Sequence, residues 1–327
     1  MDRRAFIGTL AGSLLTVPLI ADAQQARSVP RIGFLEAGAV SANQHFLDAF
    51  QSGLRELGYV PGKTVIIDDR WAGGQAERFP KLLAELVTLR PDVIVVGSAL
   101  GAKAAKAVVT SIPVVFVGVS DPIAAGVVES LAHPGANLTG LANNAGQGLI
   151  SKGIQLLREI VPRASSVAIL WNPAGAVDPK RRESEEAARA LGMTASSFEV
   201  RDVGGFEEAF ARMRKEHIDA LIVITDPLTL QHRAAIVKLA AASRIPGVYE
   251  FVEFARAGGL IAYSANVPAL FHRAAIYVDE ILKGAKPADL PVEQPTTFTL
   301  IINVKTAKAL GLTIPQSLLL RADEVIQ

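Results

Sequence analysis

Polar side chains recur in this chain at one kind of place, directly after a short apolar run. Glu36 follows Arg31–Leu35, Gly97-Ser98-Ala99 follows Asp92–Val96, and Gly118-Val119-Ser120-Asp121 follows Val114–Val117. In the second half, Trp171-Asn172, Thr225-Asp226-Pro227 and Tyr249-Glu250 stand in the same relation to their own apolar runs. Residues of these types can hold a ligand by hydrogen bonds and charge, and the carboxylates can also serve as acid/base groups. Ser98 opens the run Ala99-Leu100-Gly101-Ala102, a first helical turn of mostly small residues. Its free N–H groups and the helix dipole suit a carboxylate, although an ordinary serine N-cap accounts for the same residue. Asp121 and Asp226 present carboxylates either to a ligand amine or hydroxyl, or to their own turns. Trp171, Tyr249 and Tyr263 offer flat apolar surface, and the tyrosines add a polar tip. His45 is a further contact candidate; the other histidines are scattered.

Catalytic motifs are missing. There is no G-x-S-x-G elbow, no G-x-x-x-x-G-K-[ST] loop and no H-E-x-x-H. Gly97-x-x-x-Gly101 is not a dinucleotide fingerprint. The chain has no cysteine, so disulfides, thiol nucleophiles and cysteine metal sites are excluded. No cofactor is expected. The competing enzymatic reading uses Asp121, Asp226 and Glu250 as acid/base groups in an exported α/β enzyme.

The elements that position these residues occur twice. Arg31–Leu35, a helix ending Leu54-Arg55-Glu56-Leu57-Gly58, and Val65–Asp68 read as strand, helix, strand. Val167–Trp171, a helix ending Ala188-Arg189-Ala190-Leu191-Gly192, and Ser197–Val200 repeat that order. The strands are continuous apolar runs, as parallel strands covered on both faces require. The expectation is α/β: two doubly wound parallel-sheet lobes joined by a three-segment hinge. The predicted boundaries are 30–141 plus 252–284 for lobe 1, and 142–251 plus 285–327 for lobe 2. The strand at Gly259–Tyr263 is placed in lobe 1, and crossings are placed near 138–141, 248–251 and 284–291. Ligands in open α/β sheets sit beyond the carboxyl ends of the strands, so the polar residues above are expected to line one cleft.

Residues 1–23 read as an export signal. Arg3-Arg4 precede a diluted apolar stretch from Phe6 to Ile20, and Ala21-Asp22-Ala23 has the small-x-small form of a cleavage site. Arg3-Arg4-Ala5-Phe6-Ile7 resembles a twin-arginine signal; an ordinary secretory signal is the alternative. With no cysteine at the cleavage site there is no lipid anchor, so a free periplasmic monomer is expected. Net charge is +1, 50% of residues are hydrophobic and 20% charged, with the signs interspersed; no nucleic-acid partner is expected. Lys180-Arg181-Arg182 precedes several glutamates and reads as a solvated helix start.

Phe116–Val128 followed by His133-Pro134-Gly135-Ala136-Asn137-Leu138-Thr139-Gly140 resembles the ABC transporter substrate-binding family that includes tryptophan/tyrosine-type binders. Trp71-Ala72-Gly73-Gly74-Gln75 and Ala307–Pro315 resemble it too, and the likeness runs in order over residues 30–322. The resemblance implies a periplasmic binding protein type I fold with three crossings. It also implies delivery of a small-molecule solute to an ABC permease in the inner membrane; a sensor that presents the solute to a receptor is the variant. By motif position the cleft loops would fall on Glu36, Ser98, Ser120, Asp121, Asn143, Asn172, Asp226 and Tyr263. Ser98-Ala99-Leu100 and Trp171 depart from the pattern of aromatic-amino-acid binders. The expected solutes are therefore amino acids and aromatic or branched organic acids.

Overall fold

The structure, a computed structural model, describes residues 29–144, 148–175 and 178–327. The predicted export segment at 1–23 lies outside the described residues. The chain begins β1 (Arg31–Glu36), α1 (Val40–Glu56), β2 (Ile66–Trp71), α2 (Phe79–Thr88), β3 (Val93–Gly97), α3 (Ala99–Val108), β4 (Val114–Val119) and β5 (Leu138–Ala142). These strands form one five-stranded parallel sheet in the order β2-β1-β3-β4-β5.

The chain continues with α4 (Leu149–Ile160), β6 (Ser166–Trp171), α5 (Asp178–Ala190), β7 (Thr194–Glu199), α6 (Gly204–Lys215), β8 (Ala220–Val223), α7 (Pro227–Gln231), α8 (Arg233–Ala242), β9 (Gly247–Tyr249) and α9 (Val252–Arg256). It ends with β10 (Ile261–Ala265), α10 (Val267–Leu282), β11 (Phe298–Asn303), α11 (Val304–Leu310), α12 (Gln316–Leu319) and β12 (Glu324–Ile326). The second sheet has seven strands, β12-β11-β10-β9-β8-β6-β7, and is parallel except where β11 runs against β10.

Both sheets bury both faces, which is why their strands lack alternation. In β3 all five residues are buried, as are all four in β8. One face of the first sheet packs on α2 and α3 through Leu82, Leu83, Leu86 and Ala105. The other packs on α1 and α10. Those two helices approach so closely that a Cβ on Gly53 would overlap the backbone carbonyl of His272; glycine is what permits the contact. The apolar cluster beneath them continues without a break into the α6, α8 and α9 side of the second sheet.

One boundary differs from expectation. The strand at 261–265 does not return to the first sheet. It pairs in parallel with β9 and antiparallel with β11. The link between β9 and β10 is α9, a helix of five residues. So short a crossover sets β10 beside β9 and cannot carry it to the other sheet. The second passage therefore lies at Asn266, where α10 leaves to pack on α1, and not at 248–251. The third passage returns along 283–297. On the way Glu293 bridges to Leu141, and its N–H donates to the Gly140 carbonyl at 3.1 Å.

Candidate functional site

The carboxyl ends of both sets of strands open on one cavity of about 310 Å³. That lies at the small end of the range for pockets that enclose a whole small molecule. Lobe 1 contributes Glu36, Gly97, Ser98, Ala99, Ser120, Asp121 and Asn143; from the second lobe, Thr225 and Asp226 come from the loop after β8 and Lys180 from the first turn of α5. Phe46, Leu230, Phe251, Val267 and Phe271 form an apolar wall.

Glu36 is the last residue of β1 and is only 3% exposed. Its Oε1 accepts from Asn43 Nδ2 at 3.1 Å and lies 3.5 Å from the Gly38 N–H. Its Oε2 is buried with no hydrogen-bond partner. Burial pushes the Glu36 carboxyl above the usual range and outweighs the Asn43 and backbone hydrogen bonds that oppose it. Register explains where the head group goes. Leu35 pairs with Val96, so Glu36 stands beside Gly97. A Cβ on Gly97 would overlap Glu36 Oε2.

Ser98 caps α3: its Oγ accepts from the Gly101 N–H at 3.2 Å. Its backbone has φ 83° and ψ 155°, a region that is essentially glycine's. The strained turn directs the first turn of α3 at the cavity, and the Ala99 and Leu100 N–H groups have no acceptor within the helix. Of the two sequence readings of Ser98, this geometry is that of the helix cap.

Asp121 is exposed, and its Oδ1 accepts from Ile123 and Ala124 N–H at 3.2 and 2.9 Å. Asp226 is buried and structurally engaged. Its Oδ1 accepts from the Thr229 N–H at 2.9 Å, completing a capping box on α7, and its Oδ2 accepts from Asn172 Nδ2 at 2.7 Å. Burial still pushes its carboxyl above the usual range despite those bonds. Asn172 does not line the cavity; it stands behind Asp226 and holds it. Asn143 is 6% exposed and lines the cavity with Oδ1 unpartnered, as does the buried Thr225 Oγ1.

The expected aromatic wall is made of other residues. Trp171 ends β6 away from the cavity, under the Arg181 guanidinium at 5.3 Å. Tyr249 is buried against Phe254, with ring centroids 4.9 Å apart, and burial pushes its phenol well above the ordinary tyrosine range. Tyr263 packs on Phe298 across the β10–β11 pair. A strand sends alternate side chains to opposite faces, and these three are absorbed by the helices and strands around the second sheet. The cavity takes its rings from Phe46, Phe251 and Phe271 instead. Phe46 and Phe271 stack at 4.9 Å. Helical spacing marks them as core residues, and nothing in the sequence shows that their helix starts overhang the sheet edge.

Lys180 was also missed. It is not solvated: its side chain is 16% exposed and its Nζ lies 2.8 Å from Glu250 Oε1. Glu250 Oε2 accepts from the Thr225 N–H at 2.7 Å. Arg182, at 63% side-chain exposure, fits the solvated reading. His45 pairs with Glu253 Oε1 at 3.2 Å and does not line the cavity. Among the described residues no group of three or more His, Cys, Asp or Glu is placed to hold a metal ion.

The sequence profile of the family described as "ABC transporter substrate binding protein" matches residues 34–326. The chain belongs to this family. A curated member, the tyrosine-binding protein of Clostridioides difficile strain R20291, is 25% identical over 264 residues, covering 80% of this chain and 75% of the relative. A Streptococcus pneumonia protein solved in complex with L-Trp superposes with a TM-score of 0.85 at 26% identity, covering 91% of this chain and all of that one. A ligand-free, open substrate-binding protein from Clostridium difficile has the same fold at 24% identity and equal coverage, but a TM-score of 0.66. As an ABC substrate-binding protein with the type I periplasmic binding fold, the chain is a solute binder and not an enzyme. That removes the acid/base reading of Asp121, Asp226 and Glu250.

Proposed function

We propose that the protein is the solute-capturing component of an ABC importer, exported to the periplasm, that encloses one small organic solute between its two lobes and presents it to a membrane permease. The observation that carries this reading is the cavity itself. Strand-end loops of both sheets wall it, its body is apolar, and its polar atoms include three buried oxygens that no described residue satisfies. Buried polar groups are almost always bonded; a bound solute supplies the missing partners.

The solute classes are amino acids with apolar or aromatic side chains and comparable organic acids. A solute carboxylate sits at the first turn of α3, where free N–H groups and the helix dipole favour it, and the apolar body lies against Phe46, Phe251 and Phe271. The tyrosine and tryptophan named for the two relatives support this class. Closure is the second part of the proposal. The Ala39 N–H donates to Gln231 Oε1 at 2.7 Å, and Arg233 donates to the Ala42 carbonyl at 3.0 Å, so α1 is tied to α7 and α8 across the cleft. The better superposition on the tryptophan-bound relative than on the open one supports reading this arrangement as the closed form. In that reading the solute favours closure by binding the closed state better.

Calorimetry of the mature chain against amino acids and aromatic acids tests the proposal. The expected result is saturable one-to-one binding of at least one of them. A well-folded protein that binds none ends the reading.

A further inference from the structure

Four carboxylates line the cavity, and their bonding separates them. Asp178 is paired with Arg181 and Arg182 at 2.8 and 3.0 Å. Both oxygens of Asp226 are occupied by Thr229 and Asn172. Asp121 is exposed and caps its own turn. Glu36 is 3% exposed, and its Oε2 is without a partner. Among the described residues no ion pair reaches it, and His45 acts on it only weakly through space. Of the lysines lining the cavity, Lys180 is held by Glu250, and Lys103 stands exposed on α3. A buried carboxylate with neither a countercharge nor a full set of hydrogen bonds is costly to keep. The protein nevertheless makes room for it. Gly97 lacks the Cβ that would strike Glu36 Oε2, and that same Cβ would come within 3.3 Å of the Phe271 ring. The Glu36 head group therefore reaches across Gly97, next to Ser98 and the start of α3.

We propose that Glu36 receives the ammonium group of the ligand, so that the cleft selects α-amino acids over the same acids lacking the amine. The proposal rests on solute capture in this cavity and names its class. An α-amino acid carries its ammonium and carboxylate on one carbon, and the structure sets an unsatisfied carboxylate directly beside a helix start with free N–H groups. Gly97 acts with Glu36 as a specificity residue, because its missing side chain is what leaves Oε2 in place. The stacked Phe46 and Phe271 give the cavity an apolar wall, and low-polarity surroundings strengthen a charge-assisted bond.

The experiment is calorimetry on the full mature chain and its Glu36→Gln and Gly97→Ala variants, with thermal melting of each. The probes are L-tyrosine, L-tryptophan, L-phenylalanine and L-leucine, each paired with its des-amino acid. The wild type is expected to favour the amine-bearing member of a pair by tenfold to a hundredfold, the range of one hydrogen bond to a charged group. Glu36→Gln is expected to lose at least tenfold for the amino acid and less than threefold for the des-amino acid, while the empty protein melts no lower than wild type. Gly97→Ala is expected to shift selectivity in the same direction. Amino-acid affinity undiminished in Glu36→Gln overturns the proposal, as does a wild type that binds the des-amino acids equally well; either leaves solute capture standing. A folded wild type that binds neither member of any pair overturns both.

Discussion

The two lobes carry strand-end carboxylates of opposite circumstance. On the second, Asp226 caps α7 and holds Asn172, while Glu250 is paired with Lys180 and the Thr225 N–H. On the first, Glu36 keeps one oxygen bonded to Asn43 and the other bare. Asp226 and Glu250 of lobe 2, like Asp121 of lobe 1, are committed to their own loops, whereas Glu36 keeps a buried oxygen unbonded, the one proposed above to meet the solute. Similar strand-end positions in a duplicated fold can thus separate into scaffold and binding group, and hydrogen-bond satisfaction tells them apart where residue type does not.

The strongest test of this contrast is Lys180→Met. It leaves Glu250 buried and unpaired, and the expected loss is about 2–4 kcal/mol in urea unfolding. Adding Glu250→Gln should recover most of that loss, because no uncompensated charge remains. Asp226→Ala removes a helix cap and orphans the Asn172 amide; about 2–3 kcal/mol should be lost. A smaller cost for either would mean that lobe 2 does not depend on these groups.

Glu36→Gln should move the other way, raising the stability of the empty protein at neutral pH by about 1 kcal/mol. The folded-state pKa of Glu36 lies above its unfolded value, so ionisation opposes folding. The cost is present at pH 7 and fades as pH falls through the folded pKa toward the ordinary value of 4.5. The field of His45 is the last and smallest of the influences that oppose this upward shift. Unfolding midpoints of wild type and variant should therefore converge on acidification. A gap that widens instead would mean that Glu36 is satisfied in the empty protein.

The smallest effect concerns a pair of matched aspartates. Asp92 in lobe 1 accepts from the Arg31 N–H at 2.7 Å. Asp219, its counterpart in lobe 2, accepts from the N–H and hydroxyl groups of both Ser165 and Ser166. Burial works against the Asp219 carboxylate, but these bonds outweigh it and hold its pKa below the ordinary 3.8. Asp219→Asn should cost about 1 kcal/mol at pH 7. A group with a lowered folded pKa stabilises above its unfolded value and loses that effect as pH falls through the folded one. The difference should accordingly disappear below pH 3.8. Asp92→Asn, with one backbone bond at stake, should cost less.

Much of the architecture is legible in the residues. Apolar runs without alternation identify covered parallel strands, and the repeated strand-helix order gives two lobes. Ser98 marks a helix start that the structure confirms as a side-chain cap. Tyr263 and its strand were misplaced because an apolar run of five fits either sheet equally well; only the reach of α9 decides between them. Phe46 and Phe271 were hidden because a phenylalanine at helical spacing reads the same whether it faces core or cavity.

By itself the sequence determined that polar groups would gather at strand ends of two similar α/β lobes, because backbone periodicity and the rule for open sheets depend only on local pattern. Tertiary structure alone decided which of those groups was left unsatisfied. Glu36, Asp121 and Asp226 are all carboxylates after apolar runs, and a carboxylate becomes a binding group only when its neighbours in space withhold their donors. That depends on β1 lying against β3 with Gly97 alongside, and on Asn172 standing behind Asp226, contacts between residues far apart in the chain.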